Sequence, residues 1–172
     1  VKRSGQTPAL VLYDVTSSYF EGEHNELGEY GYNRDGKKGK KQIVIGLLTA
    51  ADGEPLSVEV FRGNTTDPET IGAQVEKLAA RFQVQEVIFV GDRGMITSKR
   101  IDEDLREVEG LDWITALRND SIRKLVKQET VQLSLFDEQD LAEVTSAEYP
   151  DERLVVCRNP LLAEERARKR KE

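Results

Sequence analysis

The chain has 172 residues, 38% of them hydrophobic and 6% aromatic, with a formal net charge of −7 at pH 7 and a pI near 5.0. That is enough for one compact domain with a real core. It excludes a membrane span, because the longest apolar runs, such as Ile43 to Leu48, fall far short of the roughly 20 residues needed; no charged-then-apolar secretory segment opens the chain, and the single Cys157 excludes a disulfide framework or a multi-cysteine zinc site and implies a reducing, cytoplasmic setting.

Residues 9–20, ALVLYDVTSSYF, read as a first strand, rich in residues that favour extended structure. Residues 21–41 lack apolar periodicity, contain Gly22, Gly28, Gly31, Gly36 and Gly39, and read as a long loop. Residues 42–50, QIVIGLLTA, form a second strand that is apolar on both faces. The pair Asp52-Gly53 is a hairpin turn signal, and residues 55–61 alternate as a third strand. Thr66-Asp67-Pro68-Glu69 then opens a helix, with a capping residue ahead of proline and acid in the first turn. Its apolar stripe is Ile71, Val75, Leu78, Ala79 and Phe82.

Residues 86–91, EVIFVG, are apolar throughout and read as a strand buried on both faces. A second helix is expected over 98–108 around Ile101, Leu105 and Val108, and a fifth strand over 112–117. The order β-β-β-α-β-α-β, with a strand–helix–strand crossover giving parallel neighbours, places strand four beside strand one and the hairpin on strand one's other side. Past residue 118 the pattern weakens: a short helix over 119–128, a strand over 153–157 and a charged helix over 160–172. Cys157 reads as a small core residue, and Trp113 and Phe89 as core. The chain opens on Val1, has Met95 as its only methionine and ends on Arg-Lys-Arg-Lys-Glu; it reads as a piece of a longer polypeptide.

Two residues stand out chemically. Asp14 interrupts the run Val11-Leu12-Tyr13-Asp14-Val15 and shares a face with Leu10 and Leu12; a carboxylate buried there is costly unless paired or metal-bound, and the alternative is an exposed strand end. Asp92 follows the fourth strand directly, at the carboxyl end where open α/β sheets place ligands; Gly91 permits a close approach or sharp turn, and Thr97 or Ser98 is better placed to cap the next helix. If strands one and four are parallel neighbours, their axes lie ~4.8 Å apart. The two carboxylates then repel unless a cation or proton lies between them. Oxygen-only ligands suit Mg²⁺ or Mn²⁺ rather than zinc, and such a pair can clamp two metals ~3.5–4 Å apart around a phosphate.

Leu12-Tyr13-Asp14-Val15-Thr16-Ser17 and Val90-Gly91-Asp92-Arg93-Gly94-Met95 resemble the first and second acidic motifs of DDE transposases, insertion-sequence enzymes with a ribonuclease-H-like fold. The hairpin Gln42 to Leu47 and Asp52 to Leu56, and the segment Arg62-Gly63-Asn64-Thr65-Thr66-Asp67, are similar to the stretches between those motifs, so the resemblance covers roughly residues 10–117. It implies that Asp14 and Asp92 are two members of a metal-binding triad, with Mg²⁺ or Mn²⁺ as cofactor, DNA ends and target as partners, a homodimeric full-length bacterial enzyme, and phosphoryl transfer without a covalent protein–DNA intermediate. The family's third member, a glutamate in a helical Tyr-x-x-Arg-x-x-x-Glu-x-x-x-x-x-x-Lys motif, has no match here. Residues 1–117 would then be a partial catalytic core, 118–172 the start of an inserted domain, and the glutamate would lie beyond Glu172, leaving the fragment inactive.

Arg34, Lys37, Lys38, Lys40 and Lys41, with Tyr30 and Tyr32 upstream, are candidate contacts to a DNA backbone, against which stands the acidic run Glu21, Glu23, Glu26 and Glu29. Arg93 is placed to orient a phosphate. His24 reads as a surface histidine, and Arg166 to Lys171 as one face of a helix. Two other readings remain: a haloacid-dehalogenase-like phosphatase, although Asp14-Val15-Thr16 lacks that family's second aspartate, and a non-catalytic interaction domain of a decayed transposase.

Overall fold

A computed structural model describes residues 9–22, 24–32, 36, 39–81, 86–137 and 139–170, with the backbone alone at 79–81, 133 and 162. It contains two compact units, Val1–Ala116 and Leu117–Glu172. Among the described residues no helix is long and apolar enough to cross a membrane.

The first unit is built on its longest strand, β1 (Ala9–Phe20). On one side β1 pairs antiparallel with β2 (Lys41–Ala50), from Val11↔Ala50 to Phe20↔Lys41. The chain reverses at Asp52-Gly53, where Gly53 has φ +90°, its N–H donates to Ala50 O at 3.0 Å, and Asp52 Oδ1 accepts from Glu54 N at 3.1 Å. It returns as β3 (Pro55–Arg62), antiparallel to β2 with a register shift at Leu48/Thr49. On its other side β1 pairs in parallel with β4 (Val87–Val90), which pairs in parallel with β5 (Leu111–Ile114). The five-stranded order is β3-β2-β1-β4-β5, a ribonuclease-H-like mixed sheet and the arrangement anticipated from the sequence.

The two faces of this sheet differ. Val11, Tyr13 and Val15 of β1, Val44 and Leu48 of β2, and Val87 and Phe89 of β4 form one buried cluster. Ile71, Val75 and Leu78 of helix α1 (Ile71–Arg81) complete it, with Met95, Ile96, Ile101 and Leu105. The stripe read from the sequence is therefore the packed one as far as Leu78; the Ala79 side chain and Phe82 lie outside the described residues. Position 46 is glycine because an added Cβ would run into the Tyr13 ring and hydroxyl. The Tyr13 and Phe89 rings meet at 5.9 Å between centroids.

The opposite face holds Leu12, Asp14 and Thr16, and across the ladder Leu47 and Val58. It is open: Leu12 is 39% exposed, Leu47 41%, Val58 60% and Ile114 53%. Of the two readings left open for Asp14, exposure is the one found. Apolar composition on both sides of β1 and β2 signalled burial on both faces, whereas helices cover only one of them among the described residues.

The first helix starts as a 3₁₀ turn, Asp67–Thr70, before α1. Thr66 N donates to Glu69 Oε2 at 2.8 Å and Glu69 N to Thr66 O at 3.0 Å, which satisfies amide donors that a helix start leaves orphaned. Glu59 on β3 ties to α1 by accepting from Gln74 Nε2 at 2.6 Å and from Lys77 Nζ; burial raises its pKa, but these donors outweigh that and hold it below the usual range. The second helix is shorter than expected. Ser98–Arg100 (α2) is α-helical, capped by Thr97 Oγ1, and Ile101–Leu105 continues as a π-turn closed by Arg106 N to Ile101 O at 2.8 Å. Trp113 is half-buried, with the Arg106 guanidinium 5.5 Å from its ring centre.

The second unit holds α3 (Asn119–Lys127), a 3₁₀ turn (Leu133–Phe136), β6 (Leu141–Val144), β7 (Leu154–Cys157) and α4 (Pro160–Lys169). β6 and β7 pair antiparallel, Leu141↔Cys157 to Val144↔Leu154, over a small cluster of Leu125, Val144 and Leu154. Cys157 is exposed, not core, because Leu154 takes the inward position of this short strand.

Leu48 has no exposed surface, so Leu48→Ala should lower unfolding stability by about 2–5 kcal/mol, while Val58→Ala on the open face should change it by no more than about 0.5 kcal/mol; urea denaturation of both variants checks this. Hydrogen bonds from the Thr66 backbone and hydroxyl hold the Glu69 carboxyl below its ordinary pKa. Its contribution is thus present above the ordinary carboxylate value of about 4.3 and lost as pH falls through the lower folded value. Glu69→Gln should flatten that part of the acid limb in stability measured against pH.

Candidate functional site

Asp14 lies within β1, and Asp92 lies in the turn that follows β4. The last parallel pair is Leu12↔Val90; Asp14 is two residues further along β1, and Asp92 two residues past Val90. Gly91 N still donates to Ile114 O of β5 at 3.2 Å, so the sheet edge extends to this point. A Cβ at Gly91 would press on the buried Ile96 side chain at 3.0 Å. Position 91 thus faces the helix-covered side.

Both carboxylates are exposed, and each is steadied locally through one oxygen. Asp14 Oδ1 accepts from Val15 N at 2.9 Å. Asp92 Oδ1 accepts from Gly94 N at 2.8 Å and Met95 N at 2.9 Å, and its carbonyl accepts from Ile96 N at 2.9 Å. Asp92 therefore folds its own turn and leaves the capping of α2 to Thr97, whose Oγ1 accepts from Arg100 N at 3.4 Å. Among the described residues, Oδ2 of both aspartates has no hydrogen-bond partner. Asp14 also borders a surface depression of about 290 Å³ lined by Val15, Thr16, Ile45, Leu47 and Val58. Carboxylate oxygens with free lone pairs suit a hard divalent cation such as Mg²⁺ or Mn²⁺. Among the described residues no set of three His, Cys, Asp or Glu side chains gathers here or elsewhere, so the pair supplies only part of a metal's ligand shell.

The other candidates are more dispersed. Arg34, Lys37 and Lys38 lie outside the described residues. Lys40 Nζ donates to Glu21 Oε1 at 2.6 Å, and Lys41 is the first residue of β2, opposite Phe20. Arg93 is exposed beside Asp92. His24 is exposed in the loop after β1. Sequence reasoning missed the segment Leu27–Tyr32 as an ordered element. Glu29 there bridges to Gln42, a contact distant in sequence that no local signal announces.

Comparison with known proteins bears on this arrangement. The family described as "Transposase DDE domain" matches residues 5–158. No curated protein matches the chain. Among solved structures, the piggyBac transposase synaptic complex with hairpin DNA is similar at 15% identity and a TM-score of 0.44, covering 87% of this chain and 33% of that one. The simian T-cell lymphotropic virus intasome in complex with PP2A regulatory subunit B56 gamma gives 12% and 0.39, covering 73% and 41%. The Mos1 mariner paired end complex with Mn gives 12% and 0.38, covering 70% and 47%. These likenesses decide nothing by themselves, and the chain spans less than half of each of those proteins. The family match extends over most of the sequence, and the chain belongs to the transposase DDE domain family. That membership leaves the phosphatase reading without support.

Asp92→Ala removes an acceptor for the Gly94 and Met95 amides and should cost about 1 kcal/mol of stability. Asp92→Asn, which keeps an acceptor oxygen, should retain most of it, and Asp14→Ala should change little. Thermal unfolding of the three variants is the check; an Asp92→Ala variant as stable as wild type contradicts the turn assignment.

Proposed function

We propose that this chain is part of the catalytic domain of a bacterial insertion-sequence transposase, in which Asp14 and Asp92 hold the divalent metal ions for DNA strand cleavage and strand transfer. The observation that supports this reading is the pairing Leu12↔Val90 of adjacent parallel strands, two residues ahead of Asp14 on one and of Asp92 after the other, in a chain that matches the transposase DDE domain family. Mg²⁺ or Mn²⁺ bound there would activate water or a 3′-hydroxyl and stabilise the leaving oxygen of an in-line displacement at phosphorus. The chain's own part is to fix two carboxylates on stiff elements. The β1–β2–β4 ladder holds one and the Asp92 turn the other, and Arg93 is placed to orient a phosphate.

The reading assigns the third carboxylate to a helix beyond Glu172. Such a helix would cover the open apolar face of Leu12, Leu47 and Val58 while completing the site beside Asp14. It treats residues 1–117 as a partial catalytic core and 118–172 as the start of an inserted domain. DNA ends and target DNA are the partners, and the full-length protein acts as a homodimer. Arg34, Lys37, Lys38, Lys40 and Lys41 are assigned to the DNA backbone, where each phosphate neutralised steepens the salt dependence of binding.

In the full-length protein, Asp14→Asn or Asp92→Asn should abolish Mg²⁺-dependent cleavage of transposon-end DNA while end binding in a gel-shift assay persists. The 172-residue chain alone should cut nothing. Cleavage that survives either substitution overturns the assignment. A full-length wild-type protein that binds ends and never cuts supports the interaction domain of a decayed transposase instead.

A further inference from the structure

Among the described residues the five-stranded sheet has two unpaired edges, β3 and β5. An unpaired edge offers a row of backbone N–H and C=O groups to any other strand, including the same strand of a second copy. β5 is protected by its length of 4 residues, whereas β3 has 8 residues. The start of β3 is blunted by Pro55, which has no N–H to offer, and by the register shift at Leu48/Thr49. From Ser57 to Arg62 the strand pairs with β2 without a further shift. On the open face this stretch shows Val58 at 60% and Val60 at 44% exposure. A regular, apolar, uncovered edge of this kind invites another strand.

Glu59 lies between those two valines and points the other way. On the covered face its Oε2 accepts from Gln74 Nε2 of α1 at 2.6 Å and from Lys77 Nζ. Stability alone gives little reason for a charge pair here, since a sheltered ion pair can often be replaced by apolar side chains of similar volume without loss. Its position at the rim of the sheet is what sets it apart. The Glu59 and Lys77 side chains keep 29% and 25% of their surface in contact with solvent, and β3 is the last strand. A strand added beside β3 would cover that remainder. The two charges would then lose water and gain no new partner, a cost that apolar side chains at the same positions would not impose.

We propose that Glu59 and Lys77 guard the β3 edge: an inward-pointing, partly hydrated ion pair that makes strand addition from a second copy unfavourable. The guard is independent of Asp14 and Asp92, and its test involves neither metal nor DNA.

The test is sedimentation velocity of the 172-residue chain and of the double variant Glu59→Gln/Lys77→Met over the same range of concentrations. The double change removes one negative and one positive charge, so the net charge stays at −7 and general repulsion between copies is unaltered. It also keeps an acceptor oxygen for Gln74 and an apolar stem in place of the lysine. The double variant should self-associate at least about 10-fold more tightly than wild type, with circular dichroism and Tm close to wild type. Adding Val58→Lys to the double variant should return it to monomer, because that position is exposed on the edge strand itself. Glu59→Gln alone serves if the double variant does not fold: the flexible Lys77 stem can carry its ammonium out to water, so this variant too should associate. Folded variants that associate no more than wild type overturn the guard, and so does association that persists with Val58→Lys.

Discussion

The parallel pairing of β1 with β4 is the constraint on which the rest depends. β1 is the only strand of its sheet paired antiparallel on one side and parallel on the other. That mixed neighbourhood fixes both halves of the first unit. The hairpin β2–β3 is local in sequence and closes through the Asp52-Gly53 turn, whereas β4 must arrive by way of α1. A slip of one residue between β1 and β4 would reverse which face each residue of β4 presents. It would take Phe89, which has no exposed surface, out of the cluster with Tyr13 and Leu48. Core packing thus enforces the register of the strand that carries Asp14 against the strand that leads to Asp92.

Stability and chemistry are separated across the thickness of the sheet. One face is sealed by Ile71, Val75 and Leu78 of α1 and by Met95, Ile96 and Leu105. The other face carries Asp14 among Leu12, Leu47 and Val58, all in contact with solvent. On this open face Asp14 needs no buried partner. Asp92 solves a different problem. It is placed after a strand and folds the turn there: Oδ1 accepts from the Gly94 and Met95 amides, and the Asp92 carbonyl also accepts from Met95 N at 3.2 Å. The carboxylate is thereby oriented with Oδ2 left over.

Much of this was legible from the residues. The long first strand, the hairpin and its turn, the helix start at Thr66 and the apolar fourth strand carry strong local signals, and the strand order follows from them. The parallel adjacency of the strand that carries Asp14 and the strand that leads to Asp92 followed from the crossover order. What was not legible has physical reasons. β6, Leu141-Ala-Glu-Val, offers only Ala142 and Val144 to a core, too few to show a period. Cys157 looked buried because its neighbours are apolar, yet a two-stranded ribbon has one sheltered face and Leu154 occupies it. The π-turn at Ile101–Leu105 follows no composition rule. The openness of the Asp14 face could not be read either, since apolar residues on both sides of β2 look the same whether or not a second layer covers them. The anchoring of Leu27–Tyr32 depends on Gln42 and Gly63, which are distant in sequence.

The measurement that bears most directly on the central claim is a crystal structure of the chain soaked in Mn²⁺, with anomalous density collected at the manganese edge. The account predicts a peak between Asp14 and Asp92, bonded to an oxygen of each at slightly more than the ~2.1 Å typical of Mg²⁺, on the open face of the sheet. Carboxylates that point to opposite faces, or manganese that binds elsewhere and leaves both aspartates hydrated, would contradict it.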